Sequence, residues 1–171
     1  EISQIYIPNN RLIIRNDCIF LDDNILIANL ENEANDVKSL LEYDSFSSVR
    51  IRSINKTEIF TIKGSNIGSK RREIEKPSCL PAKSLPNDFP KIIKRRTIFR
   101  SEDGFIWEID RYIVPKIKII IAEVELKHEN ETLKLPHWIE KEITYDSSYS
   151  NNRLAEYSEK MREAGFEPAN H

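Results

Sequence analysis

The sequence predicts an all-β or α+β fold in which an antiparallel β-barrel is surrounded by a few helices. Charged residues recur two positions apart inside runs of β-forming residues, as Glu108 and Asp110 do. Because side chains alternate between the two faces of a strand, each such pair shares one face and leaves the other face apolar. Isoleucine, which favours strands, occurs 26 times against 7 alanines. A closed sheet with its charged face inside and helices outside accounts for these observations.

Length and composition limit the class of protein. A chain of 171 residues can form one domain with its own core. Its net charge of −2 gives no general attraction to nucleic acid or to a membrane surface, and no apolar run reaches the ~18 residues of a membrane span. Cys18 and Cys79 lack a paired spacing, which favours a reducing compartment. We therefore expect a cytoplasmic monomer or homodimer whose partner is a small molecule.

Six segments each combine a charged face with an apolar face. Residues 101–104 predict a tight turn that joins two of these segments into a hairpin. Each segment alone is compatible with a half-solvated sheet, but six repetitions of the same pattern favour a common, enclosed charged surface. The segments are residues 49–52, 58–64, 71–77, 92–99, 105–112 and 117–126.

The remaining parts of the chain predict a short strand, two helices and an ambiguous stretch. Residues 1–7 alternate as a strand does, whereas residues 11–30 fit either two or three short strands or an irregular insertion. Residues 31–43 place apolar side chains at helical spacing and predict an amphipathic helix. After a polar loop at 146–152, residues 153–164 predict a closing helix.

The charged positions of the six segments form a basic group and an acidic group. Burying so many charges without partners is prohibitive, so the enclosed surface must be wet and must bind a ligand. Arginine matches phosphate oxygens, and carboxylates hold Mg²⁺ or Mn²⁺, which can bridge to phosphates. The set therefore predicts a metal–polyphosphate site, where phosphoryl transfer depends on positioning and charge neutralisation. The basic residues are Arg50, Arg52, Lys63, Arg71, Lys94 and Arg96, and the acidic residues are Glu73, Glu75, Glu108, Asp110, Glu123 and Glu125.

Several chemically versatile residues have simpler interpretations. His128 and His137 lie far apart without the spacing of metal ligands, so we interpret them as surface residues. Trp107 and Trp138 suit packing on the apolar side of the sheet better than stacking on a base.

Seven motifs, in order, resemble the CYTH domain of the triphosphate tunnel metalloenzymes. The resemblance covers about residues 49–155 and implies an eight-stranded antiparallel barrel that hydrolyses or cyclises triphosphate compounds. Its last motif is most similar to bacterial single-domain members that act on inorganic tripolyphosphate. The motifs are VRIR, TIKG, RREIEK, IKRR, WEID, AEVEL and LPHWIEKEITYD…YSNNRLA.

The same resemblance implies a role for each charged residue. The six basic residues would bind the triphosphate, and Glu123 and Glu125 would hold Mg²⁺ or Mn²⁺. Catalytic support to the metal, water or basic residues would come from Glu73, Glu75, Glu108 and Asp110. Hydrolysis of tripolyphosphate, or of a nucleoside or thiamine triphosphate, is the main expectation. A class IV-type adenylate cyclase and a non-catalytic polyphosphate-binding module are the alternatives.

Two departures from the family pattern affect this expectation. The first strand of the family, with its Glu-x-Glu-x-Lys motif, has no counterpart, and about 40 residues separate Ile7 from Val49. We expect a barrel that is incomplete at its N-terminus, with weak or no activity. Residues 11–30 either fill or cover the gap, or the gap stays open and favours self-association; we expect an open or partly covered gap. The predicted domain spans residues 1–156 with an unusual insertion at 8–48, and residues 157–171 form a helix end and tail.

Overall fold

The computed structural model describes residues 1–67, 70–128 and 131–165, which form ten β-strands and two α-helices. The strands occupy most of the positions where the sequence alternates, so the prediction of a largely antiparallel α+β fold is confirmed. The elements are β1 (Ile2–Ile7), β2 (Leu12–Arg15), β3 (Cys18–Leu21), β4 (Ile25–Asn29), α1 (Ala34–Tyr43), β5 (Ser48–Ile54), β6 (Thr57–Ile67), β7 (Lys70–Pro77), β8 (Lys91–Arg100), β9 (Ile106–Val114), β10 (Ile120–Val124) and α2 (Asn151–Glu163).

A seven-stranded sheet carries the structure, with the strand order β10-β9-β8-β1-β5-β6-β7. Every neighbouring pair in it is antiparallel, so β7 and β10 at its two edges run in the same direction. Among the described residues, β7 pairs only with β6 and β10 only with β9. One further strand of opposite direction could pair antiparallel with both edges. The closed barrel therefore stays a prediction, and it requires an eighth strand.

Residues 12–29 form a separate three-stranded sheet, β2-β3-β4, which settles the ambiguity of this stretch in favour of strands. Asn16 and Asp17, with φ of 50° and 57°, form the two-residue turn between β2 and β3. Ile19, Leu21 and Ile27 are fully buried in the core that also contains the apolar side chains of β5 and β6. The small sheet thus covers the apolar face of the main sheet, and it does not fill the gap between β7 and β10.

Helix α1 lies beside the small sheet on the same apolar face. Ala34, Val37 and Leu40 are its buried residues, at the spacing that predicted an amphipathic helix over 31–43. A 3₁₀ turn at Glu31–Glu33 precedes it, so the α-helix begins three residues later than predicted. Two ion pairs join α1 and the preceding 3₁₀ turn to β7. Arg72 Nη2 lies 2.5 Å from Asp36 Oδ1, and Lys76 Nζ lies 2.5 Å from Glu33 Oε2.

Helix α2 packs on the opposite face of the main sheet, at one end of it. Leu154 and Ala155 are buried there in a second apolar cluster with Tyr6, Ile92, Tyr112 and Ile121. The Tyr112 hydroxyl donates to Asn151 Oδ1 at 2.8 Å, and this bond ties the first turn of the helix to β9. The helix begins two residues before the predicted 153–164 segment. Neither helix in the described ranges is long and apolar enough to cross a membrane.

The last long strand is shorter than the sequence predicts. Residues 117–126 were expected to pair throughout, but β10 pairs only from Ile120, opposite Arg111, to Val124, opposite Trp107. Because β9 begins at Ile106, almost no partner strand remains beyond Val124. Glu125 is therefore outside the strand and exposed. Of the predicted tail at 157–171, residues 166–171 lie outside the described ranges.

Trp107 and the two histidines lie where the sequence placed them, whereas Trp138 is 39% exposed and packs only in part. Trp107 is 2% exposed, and its ring meets that of Trp138 edge to face with the centroids 5.3 Å apart. His128 and His137 are both exposed.

Candidate functional site

The predicted charged residues of the strands share one face of the main sheet. Directly opposed residues on neighbouring strands point to the same side, so their pairing traces a face across the sheet. This face is the one on which α2 packs, opposite the face covered by β2–β4 and α1. The opposed pairs that trace it from β7 to β10 are Glu75–Thr61, Thr61–Arg50, Arg50–Tyr6, Gln4–Ile92, Arg96–Asp110 and Glu108–Glu123.

The charges on this face are divided between two halves. Strand β1 lies in the middle and contributes only the neutral Gln4 and Tyr6 to it, whose side chains are joined by a 3.1 Å hydrogen bond from the Tyr6 hydroxyl. On the side of β5–β7, the cations Arg50, Arg52 and Lys63 face the carboxylates Glu73 and Glu75. On the side of β8–β10, the cations Lys94 and Arg96 face the carboxylates Glu108, Asp110 and Glu123. Among the predicted site residues with described side chains, one half thus has a surplus cation and the other a surplus carboxylate; the exposed Arg100, at the end of β8, shares the face of Arg96 and was not among the predicted residues.

Two ion pairs cross the β5–β7 half. Lys63 Nζ lies 2.9 Å from Glu73 Oε2, and Arg52 Nη2 lies 3.2 Å from Glu75 Oε1. Burial raises the pKa of the Glu73 carboxyl, but the hydrogen bond and charge of Lys63 outweigh this effect and hold the pKa below its ordinary value. Glu73 is therefore ionised at neutral pH, and both carboxylates of this half are already paired with a cation.

Arg50 is the cation left over in this half. It is only 8% exposed, and its Nε is buried without a hydrogen-bond partner. Among the described residues it makes no hydrogen bond or ion pair, although the charge of Glu73 is close enough for each to act on the other. The buried Nε of the neighbouring Arg52 also lacks a partner. A buried guanidinium with unused donors is costly unless an anion binds there.

Lys94 and Asp110 form a buried ion pair in the other half. Lys94 Nζ lies 2.5 Å from Asp110 Oδ2, and each side chain is 1% exposed. Burial lowers the pKa of Lys94, although the hydrogen bond to Asp110 opposes that effect. Burial also raises the pKa of Asp110, but the hydrogen bonds from Arg96 and Lys94 outweigh it and lower the pKa overall. This pair is a fixed element at the centre of the site.

Arg96 connects all three carboxylates of the β8–β10 half. Its Nε donates to Asp110 Oδ1 at 2.7 Å, and its Nη2 donates to Asp110 Oδ2 at 2.6 Å and to Glu123 Oε2 at 3.0 Å. Its Nη1 donates to Glu108 Oε2. The hydrogen bond to Asp110 is the largest of the effects that raise the pKa of Arg96, so the guanidinium stays charged. One side chain thus pairs with both Glu108 and Glu123, which oppose each other on adjacent strands.

The carboxylates have oxygen atoms that suit a metal ion, but these oxygens are hydrogen-bonded to Arg96. Hard divalent cations such as Mg²⁺ and Mn²⁺ take oxygen ligands, and Glu108, Asp110 and Glu123 present oxygens to a common point. That point is the Arg96 guanidinium. Within the described part of the chain, no three His, Cys, Asp or Glu side chains are arranged to hold a metal ion as they stand. The donor chemistry fits such an ion, but Arg96 occupies the position where the three carboxylates meet.

Two predicted site residues are not brought into this arrangement. Glu125 follows the end of β10 and is exposed, so its predicted role as a metal ligand has no strand position to support it. Arg71 belongs to β7, but its side chain is outside what the structure describes. Their roles stay predictions, as do those of the other residues.

Gln4, Tyr6 and Tyr112 are among the uncharged residues of the face that were not selected from the sequence. Gln4 and Tyr6 continue the alternation of β1, and Tyr112 continues that of Glu108 and Asp110 in β9. All three are at most 8% exposed. Because the selection used charge, it passed over neutral side chains at the same two-residue spacing, although that spacing was the available signal.

Comparison with known proteins found one clear similarity in sequence. The chain is 35% identical to the inorganic triphosphatase of Acetivibrio thermocellus over 116 residues, which cover 66% of this chain and 74% of that relative. No protein-family model matches the chain. No solved structure matches it either.

Proposed function

Because this chain belongs to the CYTH-type inorganic triphosphatase family, we propose that it hydrolyses a triphosphate on the charged face of its main sheet. Inorganic tripolyphosphate is the proposed substrate, because the relative is an inorganic triphosphatase and because the described charges of the site would contact phosphates only. The terminal phosphoanhydride would be cleaved by water, releasing orthophosphate. A cytoplasmic location remains our expectation from the cysteines alone.

The burial of Arg50 without a described hydrogen-bond partner is the observation that supports this proposal. Its buried, unpaired guanidinium is explained if a polyanion supplies the missing hydrogen-bond acceptors. Arg52 and Lys63 flank it on the same face, and each already neutralises a carboxylate that would otherwise repel phosphate. We therefore place the triphosphate against the β5–β7 half, with Arg50 as its principal contact. Arg71 and the cations Lys94 and Arg96 of the other half would extend this contact.

Magnesium or manganese is the proposed cofactor. Among the predicted site residues, the β8–β10 half has the surplus carboxylate. Glu123 and its opposed neighbour Glu108 would hold the ion. Glu125 stays a weaker candidate because it lies outside β10. Such an ion would neutralise charge that develops on the phosphate oxygens during transfer. Asp110 would keep Lys94 charged and in position, and Glu73 and Glu75 would do the same for Lys63 and Arg52.

Closure of the sheet into a tunnel is part of the proposal. An eighth strand with the family's Glu-x-Glu-x-Lys motif would fit between β7 and β10, because both edges run in the same direction. Its alternate residues would point to the charged face and add two carboxylates and a cation. A chain that lacks this strand is expected to have weak or no activity.

A product assay tests the reaction. The protein would be incubated with tripolyphosphate, ATP or thiamine triphosphate, with Mg²⁺ or Mn²⁺, and the products would be identified. Orthophosphate and pyrophosphate from tripolyphosphate support the proposal. Cyclic AMP and pyrophosphate from ATP would support a cyclase instead. Tight binding of tripolyphosphate with no turnover would support a binding module, which the gap between β7 and β10 makes the second candidate.

A further inference from the structure

Arg96 keeps too few free N–H groups to make a two-bond contact with a second ligand. Its four hydrogen bonds use the Nε and both Nη atoms, and a guanidinium has only five N–H groups. Its side chain is 20% exposed, so an anion on the charged face can reach it. One N–H of Nη1 is left, so a bidentate contact with a phosphate requires Arg96 to give up at least one of its bonds to the three carboxylates.

The three carboxylates would not be affected equally by this loss. Asp110 keeps its ion pair with the fully buried Lys94. Glu108 and Glu123 have no other hydrogen bond or ion pair among the described residues. They are directly opposed on β9 and β10, where like charges destabilise a sheet. Once Arg96 leaves, these two carboxylates need another cation.

We propose that Arg96 is an internal counter-cation that competes with the divalent cation for Glu108 and Glu123. In the ligand-free protein it neutralises them and keeps metal affinity low. When a triphosphate draws the guanidinium away, the two carboxylates become free to bind the metal. That the anion is a triphosphate rests on the proposed function; the competition itself does not.

This competition couples the two ligands. Binding of the anion raises the affinity for the cation, and by thermodynamic linkage the cation raises the affinity for the anion by the same factor. The site would therefore bind neither free metal nor metal-free triphosphate as well as it binds both together. The coupling requires no movement of the strands, because only one exposed side-chain tip changes partners.

The direct test measures Mn²⁺ binding without any triphosphate, by electron paramagnetic resonance of the free ion. Replacing Arg96 by Gln should tighten Mn²⁺ binding about tenfold or more relative to the unchanged protein. The matched control is Arg52→Gln, which removes the same charge from the same face but from the half that does not contact Glu108 or Glu123. It should change Mn²⁺ affinity less than threefold. Equal affinities in Arg96→Gln and the unchanged protein would overturn the proposal.

A second measurement needs no substitution. In the unchanged protein, the Arg96 Nε–H should give a side-chain amide signal that is protected from solvent exchange by its bond to Asp110. Addition of Mg²⁺ together with tripolyphosphate should shift this signal strongly, whereas an equal concentration of NaCl should not. An Arg96 signal that stays unshifted at saturation would overturn the proposal even if Arg96→Gln failed to fold.

Failure of the proposed function would give a different result. If tripolyphosphate did not bind at all, Arg96→Gln would still tighten Mn²⁺ binding, and another anion would be the partner that releases Arg96. If tripolyphosphate bound and was hydrolysed but Arg96→Gln left Mn²⁺ affinity unchanged, the proposed function would stand and the competition would be wrong.

Discussion

Arg50 shows at the level of one residue how a binding site can oppose stability. Its charge is buried and its Nε is unpaired, so the ligand-free protein bears a desolvation cost that the nearby charge of Glu73 offsets only in part. Arg52, two positions away on the same strand, is less buried and pairs with Glu75. The two residues therefore form a natural comparison.

Replacing Arg50 by Met should leave the free energy of unfolding of the ligand-free protein unchanged or raise it, because an unpaired buried charge is replaced by an apolar chain of similar length. The same change should weaken tripolyphosphate binding by about 10–100-fold, since a charge-assisted contact contributes roughly 1.5–3 kcal/mol. Urea unfolding and titration calorimetry would measure the two effects. Arg52→Met, the control, should lose stability as well as affinity. A clear loss of stability in Arg50→Met would show that this guanidinium is paired.

The Glu73 carboxyl predicts a dependence of stability on pH. Its pKa in the folded protein lies below the unfolded value of about 4.3, so it contributes stability above that pH and loses it as the pH falls toward the folded value. The unchanged protein should therefore be more stable than Glu73→Gln at pH 7, and the difference should shrink as the pH falls through the lowered folded pKa. Urea unfolding at several pH values would measure it. A difference that persisted in acid would point to packing rather than charge.

Single residues also show how far sequence reasoning reached into the site. Alternation placed Arg50, Lys94 and Asp110 on one face because the strand geometry is fixed by the backbone alone. It could not show that Arg96 binds three carboxylates, because that depends on how β8, β9 and β10 are aligned with one another. Nor could it separate paired cations from the unpaired Arg50. Those facts arise from packing between distant segments.

Among the elements, the strands with charged residues were predictable and the uncharged ones were less so. Residues 11–30 stayed ambiguous because their apolar runs are short and lack clear alternation. The turn at Asn16 and Asp17, and the similar turn at Asn55 and Lys56, were the signal that could have identified hairpins, since both positions in each turn have positive φ. The end of β10 was missed because Glu125 alternates correctly in sequence but has no partner strand.

Helix α2 depends on its apolar side for its attachment to the main sheet. Leu154 is 8% exposed in the cluster with Tyr6 and Tyr112, and Leu154→Ala should cost about 2–5 kcal/mol of unfolding free energy. Tyr157→Ala on the same helix should cost no more than about 0.5 kcal/mol, because Tyr157 is 54% exposed. Chemical denaturation followed by circular dichroism would compare them. Equal losses would mean that α2 is not anchored through Leu154.

At the scale of the whole molecule, the described strands of the main sheet are odd in number. This number determines what kind of strand could close the sheet into a barrel. Seven antiparallel strands leave two edges that run in the same direction, and one added strand pairs antiparallel with both. The resemblance to the family predicts the sequence motif of that added strand. The strand order of the main sheet indicates where that strand would pair. The place could not be predicted from sequence, because the pairing of β1 between β5 and β8 joins parts of the chain more than forty residues apart.

An N-terminal fusion of a strand with the Glu-x-Glu-x-Lys motif should raise metal-dependent release of phosphate from tripolyphosphate at least tenfold. The same fusion with both Glu replaced by Gln is the control, since it closes the sheet without the carboxylates. Both fusions should protect the backbone amides of β7 and β10 from hydrogen exchange. Rapid hydrolysis by the 171-residue chain alone would show that the carboxylates already present suffice.

The predicted site residues with described side chains divide their charge unequally between the two halves of the sheet, which gives this set of residues an electric dipole. Arg50 on β5 and Glu108 on β9 are three strands apart, which at the usual spacing is roughly 14 Å. A chelate of a divalent cation and triphosphate also has an asymmetric charge distribution. The electric field of the site would therefore orient the chelate before it makes contact. Salt should weaken this effect, since the screening length is about 10 Å at 0.1 M and shorter above that. The rate of capture, more than the strength of binding, would then depend on ionic strength.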